Sequence, residues 1–230
     1  MDTNWKPLYR IGGIAALIFI VYSLTTLIIA FSIGFQPETV SEIFDLLQEN
    51  RIIGLLRMDV LTVIFIPLYY PLFLSICIAL RKNHVSYTTL AALLAFAGIT
   101  LFLATPSVFS LIPLSDQYAA ATTAAEQSQL LAAGEVLLAS DMWHGTGAML
   151  GGILLFIAEL ALSVIMLYSG VFSKGTAVVG IITYGLDISH FIVGAFSPQA
   201  GEIIMMIAGT LYLIWFILVA RDLFRLGKES

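Results

Sequence analysis

Six long runs of apolar residues dominate the chain, separated by short polar segments. A helix that crosses the hydrocarbon core of a membrane needs about 20 apolar residues. The pattern predicts spans at about residues 11–34, 58–80, 88–112, 145–169, 176–196 and 200–220. The first run exceeds the apolar region of a signal peptide, about 7–15 residues, so we expect it to be retained as a helix. The sequence therefore predicts an all-α, polytopic membrane helix bundle with six transmembrane helices.

Proline residues modify two of these spans. Pro67 and Pro71 lie within the second apolar run, and Pro106 lies near the end of the third. Proline has no backbone N–H group and its ring clashes with the preceding turn of a helix. In a membrane the freed carbonyl groups must find other partners inside the protein. We therefore expect the second span to be kinked or broken.

Two connecting segments are predicted to be amphipathic helices rather than simple loops. Residues 37–51 carry an apolar stripe at helical spacing, formed by Val40, Ile43, Phe44 and Leu47. Such a stripe is typical of a helix that lies at the membrane interface or over the bundle. Residues 115–139 are rich in Ala, Gln and Glu and are too polar to cross a membrane. We expect that second helix to start at Ser115-Asp116, directly after Pro113.

Composition supports a single membrane domain covering residues 1–230. Hydrophobic residues make up 60% of the 230 residues and charged residues only 11%, whereas soluble domains are about one quarter charged. Six spans leave no room for a separate soluble domain. The net charge of −5 argues against a nucleic-acid partner, which requires a basic face. Cys77 is the only cysteine, so no disulfide framework or thiolate metal cluster is expected.

The basic residues indicate how the chain is oriented. With six alternating spans, one side of the membrane receives Lys6, Arg10, Arg81, Lys82, Lys174, Arg221, Arg225 and Lys228. The other side receives Arg51 and Arg57. Because cytoplasmic loops carry the excess of Lys and Arg, both termini are predicted to be cytoplasmic, in the cell membrane. Both amphipathic segments are then predicted to lie outside.

Two short motifs resemble a known family. They are residues 8–16, LYRIGGIAA, and residues 114–121, LSDQYAAA, which precede a polar helix. Together they are similar to an uncharacterised domain-of-unknown-function family of prokaryotic multi-pass membrane proteins. The resemblance covers nearly the whole chain in its layout and implies a membrane location. It implies no activity, and no functional residue can be carried over from it.

Ionisable residues inside a membrane are costly and are by default candidates for function. The candidates for a polar cavity are Asp187, His190, Glu159, Asp59, Arg57 and Tyr184. At 1.5 Å per helical residue, Glu159 and Asp187 lie roughly 16 and 20 Å from the cytoplasmic ends of their helices. Two carboxyl groups at nearly one level could share a proton or bind a cation. His190 and Tyr184 lie one turn to either side of Asp187 on the same helix face.

An alternative set of residues predicts a metal site. Asp141 with His144 and Asp187 with His190 both follow the pattern Asp-x-x-His, which places a carboxylate and an imidazole on one helix face. Ferritin-like proteins use a similar acid-x-x-His pair from two helices. A divalent metal such as zinc, held by all four residues, could activate water for the hydrolysis of lipid. At 1.5 Å per helical residue, however, the two pairs lie at depths in the membrane that differ by about 15 Å if the helices are straight.

Each candidate also has a structural interpretation. Asp187 could pair with His190 and lock its helix to a neighbour, and Glu159 could bond to a serine or to a backbone carbonyl. Arg57 could pair with Asp59 or Asp141 at the interface, and Asp141 could cap the fourth span.

The sequence thus leaves three hypotheses open: an outward-facing polar cavity that binds or moves a small solute, ion or proton; a metal-dependent intramembrane lipid hydrolase; and a non-catalytic membrane protein that packs with a partner. The lipid bilayer is a partner in all three. The oligomeric state, the substrate and whether the chain is an enzyme stay open.

Overall fold

The computed structural model describes residues 5–58, 60–82 and 84–228, and these residues form helices and no strand. We number the α-helices along the described residues as α1 (Lys6–Ile33), α2 (Val40–Glu49), α3 (Arg51–Arg57), α4 (Val60–Phe65), α5 (Tyr69–Leu80), α6 (Val85–Leu103), α7 (Val108–Ala120), α8 (Ala124–Ala139), α9 (Thr146–Ser169), α10 (Lys174–Gly194) and α11 (Pro198–Leu226). The prediction of an all-α helix bundle is confirmed.

Six helical segments in the described part of the chain are long and apolar enough to cross a membrane. They are Lys6–Ile33, Val60–Leu80, Val85–Ala120, Thr146–Ser169, Lys174–Gly194 and Pro198–Leu226. The first begins before the predicted residue 11, and the last continues beyond the predicted residue 220. Hydropathy detects only the part of a helix that lipid covers, whereas backbone hydrogen bonding continues the helix into its polar ends.

The second span is broken where the sequence predicts. A single turn of 3₁₀-helix, Ile66–Leu68, separates α4 from α5. Pro67 lies inside this turn and has no N–H group to donate to an α-helical ladder. The break divides the span into the two helices α4 and α5. More of the buried residues of this span lie in α5 than in α4.

The third span departs from the prediction in two ways. It is interrupted between α6 and α7, and α7 continues through Pro113 to Ala120. The predicted helix start at Ser115-Asp116 is therefore wrong. Ser115 is buried inside α7, where its hydroxyl donates to the Phe44 carbonyl at 3.2 Å and accepts from Gln48 at 2.9 Å. The helix start in this region is Thr123, which begins α8 through a capping box with Glu126.

The chain folds into two compact units. Unit 1 comprises Met1–Val21, Leu68–Ile99 and Gly151–Ser230, and unit 2 comprises Tyr22–Pro67 and Thr100–Leu150. The sequence pattern does not predict this division.

Unit 1 is built on the antiparallel pair of α10 and α11 and on aromatic packing. The Phe19 ring lies 4.2 Å from the ring of Tyr69 and 5.1 Å from that of Phe216, measured between centroids. A buried acid, Asp222, ties α11 to the start of α10. Its carboxylate accepts hydrogen bonds from the Ser173 amide at 2.8 Å and from the Thr176 hydroxyl at 2.5 Å.

Unit 2 is organised around the amphipathic helix α2. The four residues of the predicted apolar stripe, Val40, Ile43, Phe44 and Leu47, are all buried, together with Val108 and Leu111 of α7. The prediction for this helix is confirmed. Gly134 allows α8 to approach α2 closely, since a Cβ atom there would overlap the side chain of Val40. Arg51 of α3 forms an ion pair with Asp116 of α7.

Candidate functional site

Asp187 and His190 of α10 both bind α11, but through separate partners. The Tyr212 hydroxyl donates to a carboxylate oxygen of Asp187 at 2.6 Å. Nδ1 of His190 lies 3.0 Å from the Gly201 carbonyl oxygen, which can only accept, so we infer that this nitrogen carries the proton. Asp187 and His190 lie within electrostatic range of each other, but each forms its hydrogen bond with α11, so both residues join α10 to a neighbouring helix as predicted.

Glu159 of α9 is buried in unit 1 with a relative exposure of 1%. Neither carboxyl oxygen has a hydrogen-bond partner among the described residues. The interpretation that a serine or a backbone carbonyl satisfies this group is therefore wrong. The carboxyl group does lie within electrostatic range of Asp187, as the depth count predicts.

The same region contains three further buried polar groups that have no hydrogen-bond partner in the described part of the chain. They are the Ser163 hydroxyl, the Tyr184 hydroxyl and the Trp215 indole N–H. The Tyr184 ring packs edge-on against the rings of Tyr212 and Trp215, with centroid distances of 5.6 and 5.2 Å. Tyr184 and Tyr212 both lie within electrostatic range of Glu159.

We call this group the buried polar cluster and define it as Glu159, Ser163, Tyr184, Asp187, Tyr212 and Trp215. Gly180 is central to its packing, because a Cβ atom there would overlap the Ser163 hydroxyl and would lie 2.7 Å from Nε1 of Trp215. Sequence reasoning finds Glu159, Tyr184 and Asp187 and misses the other three. Ser163 follows Glu159 by one helical turn, which is a usable signal. Tyr212 and Trp215 join the cluster only through the pairing of α10 with α11.

The chemistry of the cluster combines two acidic side chains with hydrogen-bond donors. Serine and tyrosine hydroxyls donate and accept, whereas the tryptophan N–H only donates. Burial of an unsatisfied polar group destabilises the folded state, so a carboxyl group in this position needs a proton or an external partner. The arrangement can therefore hold a proton on a carboxyl group, or hold a small ligand that both accepts and donates hydrogen bonds.

Arg57 lies elsewhere, in unit 2 at the end of α3. It donates hydrogen bonds to the Phe35 carbonyl at 3.0 Å from Nε and 2.7 Å from a terminal nitrogen. This contact fixes the segment that joins α1 to α2. Asp59, the other candidate of the second span, lies outside the described residues.

Asp141 and His144 belong to the turn before α9, also in unit 2. One carboxylate oxygen of Asp141 accepts from the backbone amides of Trp143 at 2.8 Å and His144 at 2.9 Å, and from Nδ1 of His144 at 2.9 Å. Asp141 thus accepts hydrogen bonds from backbone amides of the turn that leads into α9. This role is close to the helix-capping role predicted from the sequence.

A metal site is not apparent from the side chains. Within residues 5–58, 60–82 and 84–228 no group of three or more His, Cys, Asp or Glu side chains could hold a metal ion. The zinc alternative built on Asp141, His144, Asp187 and His190 therefore receives no support from the positions of its ligands.

The fold and the apolar spans define the class of this protein, a multi-pass α-helical membrane protein. Comparison with protein-family models, curated proteins and solved structures finds no match.

Proposed function

We propose that the helix bundle binds or moves a small solute, ion or proton, and that the buried polar cluster is the site where it does so. A proton is the occupant that the cluster suits best. Glu159 and Asp187 are two carboxyl groups within electrostatic range, a relationship that favours one shared proton over two negative charges.

The single observation that carries the proposal is the unpartnered carboxyl group of Glu159. Asp222 provides the contrast, because it is equally buried yet accepts hydrogen bonds from Ser173 and Thr176. The Asp222 carboxylate thus has a structural role, whereas neither carboxyl oxygen of Glu159 has a hydrogen-bond partner among the described residues. Ionisable groups of this kind inside a membrane mark ion and proton pathways.

The other two hypotheses fit the structure less well. If buried charged groups served only packing, each should have hydrogen-bond partners inside the protein. Asp222 has such partners, whereas Glu159 has none among the described residues. A zinc-dependent hydrolase requires three or more ligands around the metal, which the described side chains do not provide.

Flux through proteoliposomes tests the proposal. Purified protein is reconstituted with a pH-sensitive dye inside the vesicles, and flux is followed after a pH jump or after addition of a cation. We expect the E159Q variant to lose at least about tenfold in rate, because the group that carries the proton is gone. E202Q is the matched control, since Glu202 is an exposed glutamate of α11. Unchanged flux in E159Q would contradict the proposal that the buried polar cluster is the site, and no flux through the native protein would exclude movement of the solute, ion or proton across the membrane.

The orientation belongs to the same proposal. The excess of basic residues supports cytoplasmic termini in the cell membrane, which places the α1–α2 connection outside. In a C77A background, an impermeant maleimide added to intact cells should label E38C and not K228C. The reverse pattern would place the termini outside. Membership of the domain-of-unknown-function family stays part of the proposal, supported by the two short motifs.

A further inference from the structure

A groove of about 370 Å³ lies within unit 1, between the start of α6 and the end of α9, away from the buried polar cluster. The residues that line it are His84, Tyr87, Ala161, Val164, Ile165 and Tyr168. Small-molecule sites occupy about 300–1,000 Å³. We call it the α6–α9 groove.

The groove lies where two antiparallel helices separate. At Gly98 the backbone of α6 is close to that of α9, since a Cβ atom there would lie 2.6 Å from the Gly151 carbonyl oxygen and 2.9 Å from the Leu155 amide nitrogen. Tyr87 lies about three helical turns nearer the start of α6, and there the groove lies between the two helices. The groove is thus a cleft between two segments that are long and apolar enough to cross a membrane.

The wall of the groove is apolar and faces outward from the chain. Ala161, Val164 and Ile165 recur at helical spacing and so share one face of α9. Tyr87 and Tyr168 are 70% and 75% exposed at the ends of their two spans. Tyrosine side chains are enriched at this level of a membrane, where the ring contacts acyl chains and the hydroxyl contacts head groups. An acyl chain of a lipid can therefore lie against this wall.

The polar end of the groove is positively charged. His84 lies at this end, and Lys82, two residues before it, is exposed. Residues 60–115 and 160–186, which include both sides of the groove, contain lysine and arginine but neither Asp nor Glu. The N-terminus of α6 lies at the same place and adds the positive end of its helix dipole. The charge at this end therefore favours an anionic group.

We propose that the α6–α9 groove binds an anionic phospholipid, with one acyl chain along the apolar wall and the head group beside Lys82 and His84. The lysine ammonium group supplies a positive charge and three N–H donors, and a histidine ring has an N–H donor in either tautomer. Basic residues beside a cleft between membrane helices are a known arrangement for binding anionic head groups.

A helix of a partner protein fits the groove less well. A helix about 10 Å wide that rises about 5.4 Å per turn occupies about 400 Å³ in a single turn, which exceeds the volume of the groove. An acyl chain is narrower than a helix. The phospholipid also supplies the anion that the charge at the polar end favours.

Native mass spectrometry of the full-length protein in detergent tests this inference. The probes are phosphatidylglycerol, which is anionic, and zwitterionic phosphatidylcholine with the same acyl chains. We expect saturable binding of one phosphatidylglycerol molecule, about fivefold tighter than that of phosphatidylcholine, since one lysine near an anionic head group contributes about that factor. Absence of saturable binding, or equal affinity for the two lipids, would overturn the proposal.

The head-group contact is tested by the K82Q/H84Q double variant, which should lose the preference for phosphatidylglycerol. K228Q/H144Q is the matched control, because it replaces the same residue types at exposed positions that do not line the groove. This control should keep the native preference. An equal loss in both variants would mean that the preference reflects net charge alone and would overturn the site.

The acyl-chain contact is tested by V164F, in which a phenylalanine ring fills part of the groove. We expect phosphatidylglycerol to bind at least about fivefold more weakly to V164F than to V178F, the same change at an exposed valine of α10 outside the groove. Equal binding would overturn the location of the chain. Circular dichroism of all four variants checks that the helices are retained. None of them alters the buried polar cluster, so this proposal and the flux proposal can fail separately.

Discussion

The Tyr212 hydroxyl donates a hydrogen bond of 2.6 Å to the Asp187 carboxylate and so joins α11 to α10 inside unit 1. Asp187 is only 5% exposed, and this is the hydrogen bond that its side chain receives within the described residues. A buried carboxyl oxygen that lacks a donor destabilises the folded state, and this hydroxyl supplies one. The contact therefore stabilises the helix pair and holds one acid of the polar cluster in place.

Removing this hydroxyl should destabilise the protein. In Y212F the Asp187 carboxyl group loses its donor while it stays buried, which costs about 1–3 kcal/mol in free energy of unfolding. The free energy can be measured by denaturant titration in detergent micelles. Y168F is the control, because Tyr168 is 75% exposed. Equal stability of the two variants would show that the Tyr212 contact contributes nothing.

A second prediction concerns two glycines of α10 that differ only in their surroundings. A methyl group at Gly180 would overlap the Ser163 hydroxyl, whereas nothing lies within 4 Å of the Cβ position of Gly185. We expect G180A to lower the free energy of unfolding by about 1–3 kcal/mol through overpacking. G185A should be neutral or stabilise the helix by up to about 1 kcal/mol. Equal unfolding midpoints in detergent would contradict the close packing at Gly180.

Most of the fold could be predicted from the sequence, because a helix that crosses a membrane needs a long apolar segment and because the apolar residues of α2 recur at helical spacing. The start of α8 could also have been predicted. Thr123 and Glu126 form the Ser/Thr-x-x-Glu pattern of a capping box, but the proline at position 113 suggested an earlier start. Proline is usually found at helix starts, yet here α7 accommodates Pro113 in its interior.

The candidate site was only half predictable. An acid inside an apolar run is conspicuous, so Glu159 and Asp187 could be found without a structure. Tyr212 and Trp215 are ordinary residues of membrane helices, and nothing in the pattern distinguishes them from Tyr70 or other aromatic residues. Their importance depends on how α10 and α11 pair. Helix pairing is determined by side-chain packing, which hydropathy does not describe.

The core of unit 2 gives a third prediction. Phe44 of α2 is fully buried and its ring lies 5.4 Å from that of Tyr118, between centroids. F44A should cost about 3–5 kcal/mol because it leaves a cavity in the cluster around α2. I52A is the control, since Ile52 on α3 is 70% exposed. Hydrogen exchange should show faster opening of α2 and α7 in F44A alone, and unchanged protection would exclude a stabilising role for Phe44.

The capping box of α8 predicts a dependence on pH. The backbone amides of Thr123 and Thr122 each donate to one carboxylate oxygen of Glu126 at 3.1 Å. The hydrogen bond from Thr123, followed by that from Thr122, lowers the pKa of Glu126 below its ordinary value. A group whose pKa is lower in the folded state stabilises that state above the pKa of the unfolded chain, about 4.3 for glutamate. That contribution is lost as the pH falls through the folded pKa.

We therefore expect the first turn of α8 to open more often as the solution is made acidic below the ordinary glutamate pKa. The measurement is hydrogen exchange of the Thr122, Thr123 and Glu126 amides, expressed as protection relative to the intrinsic rate at each pH. In E126Q the charge is absent, so protection should be lower at neutral pH and should change little with acidification. E135Q removes a glutamate from the same helix outside its first turn, and this variant should keep the native pH profile. A profile that E126Q leaves unaltered would show that the Glu126 carboxylate does not hold the start of α8.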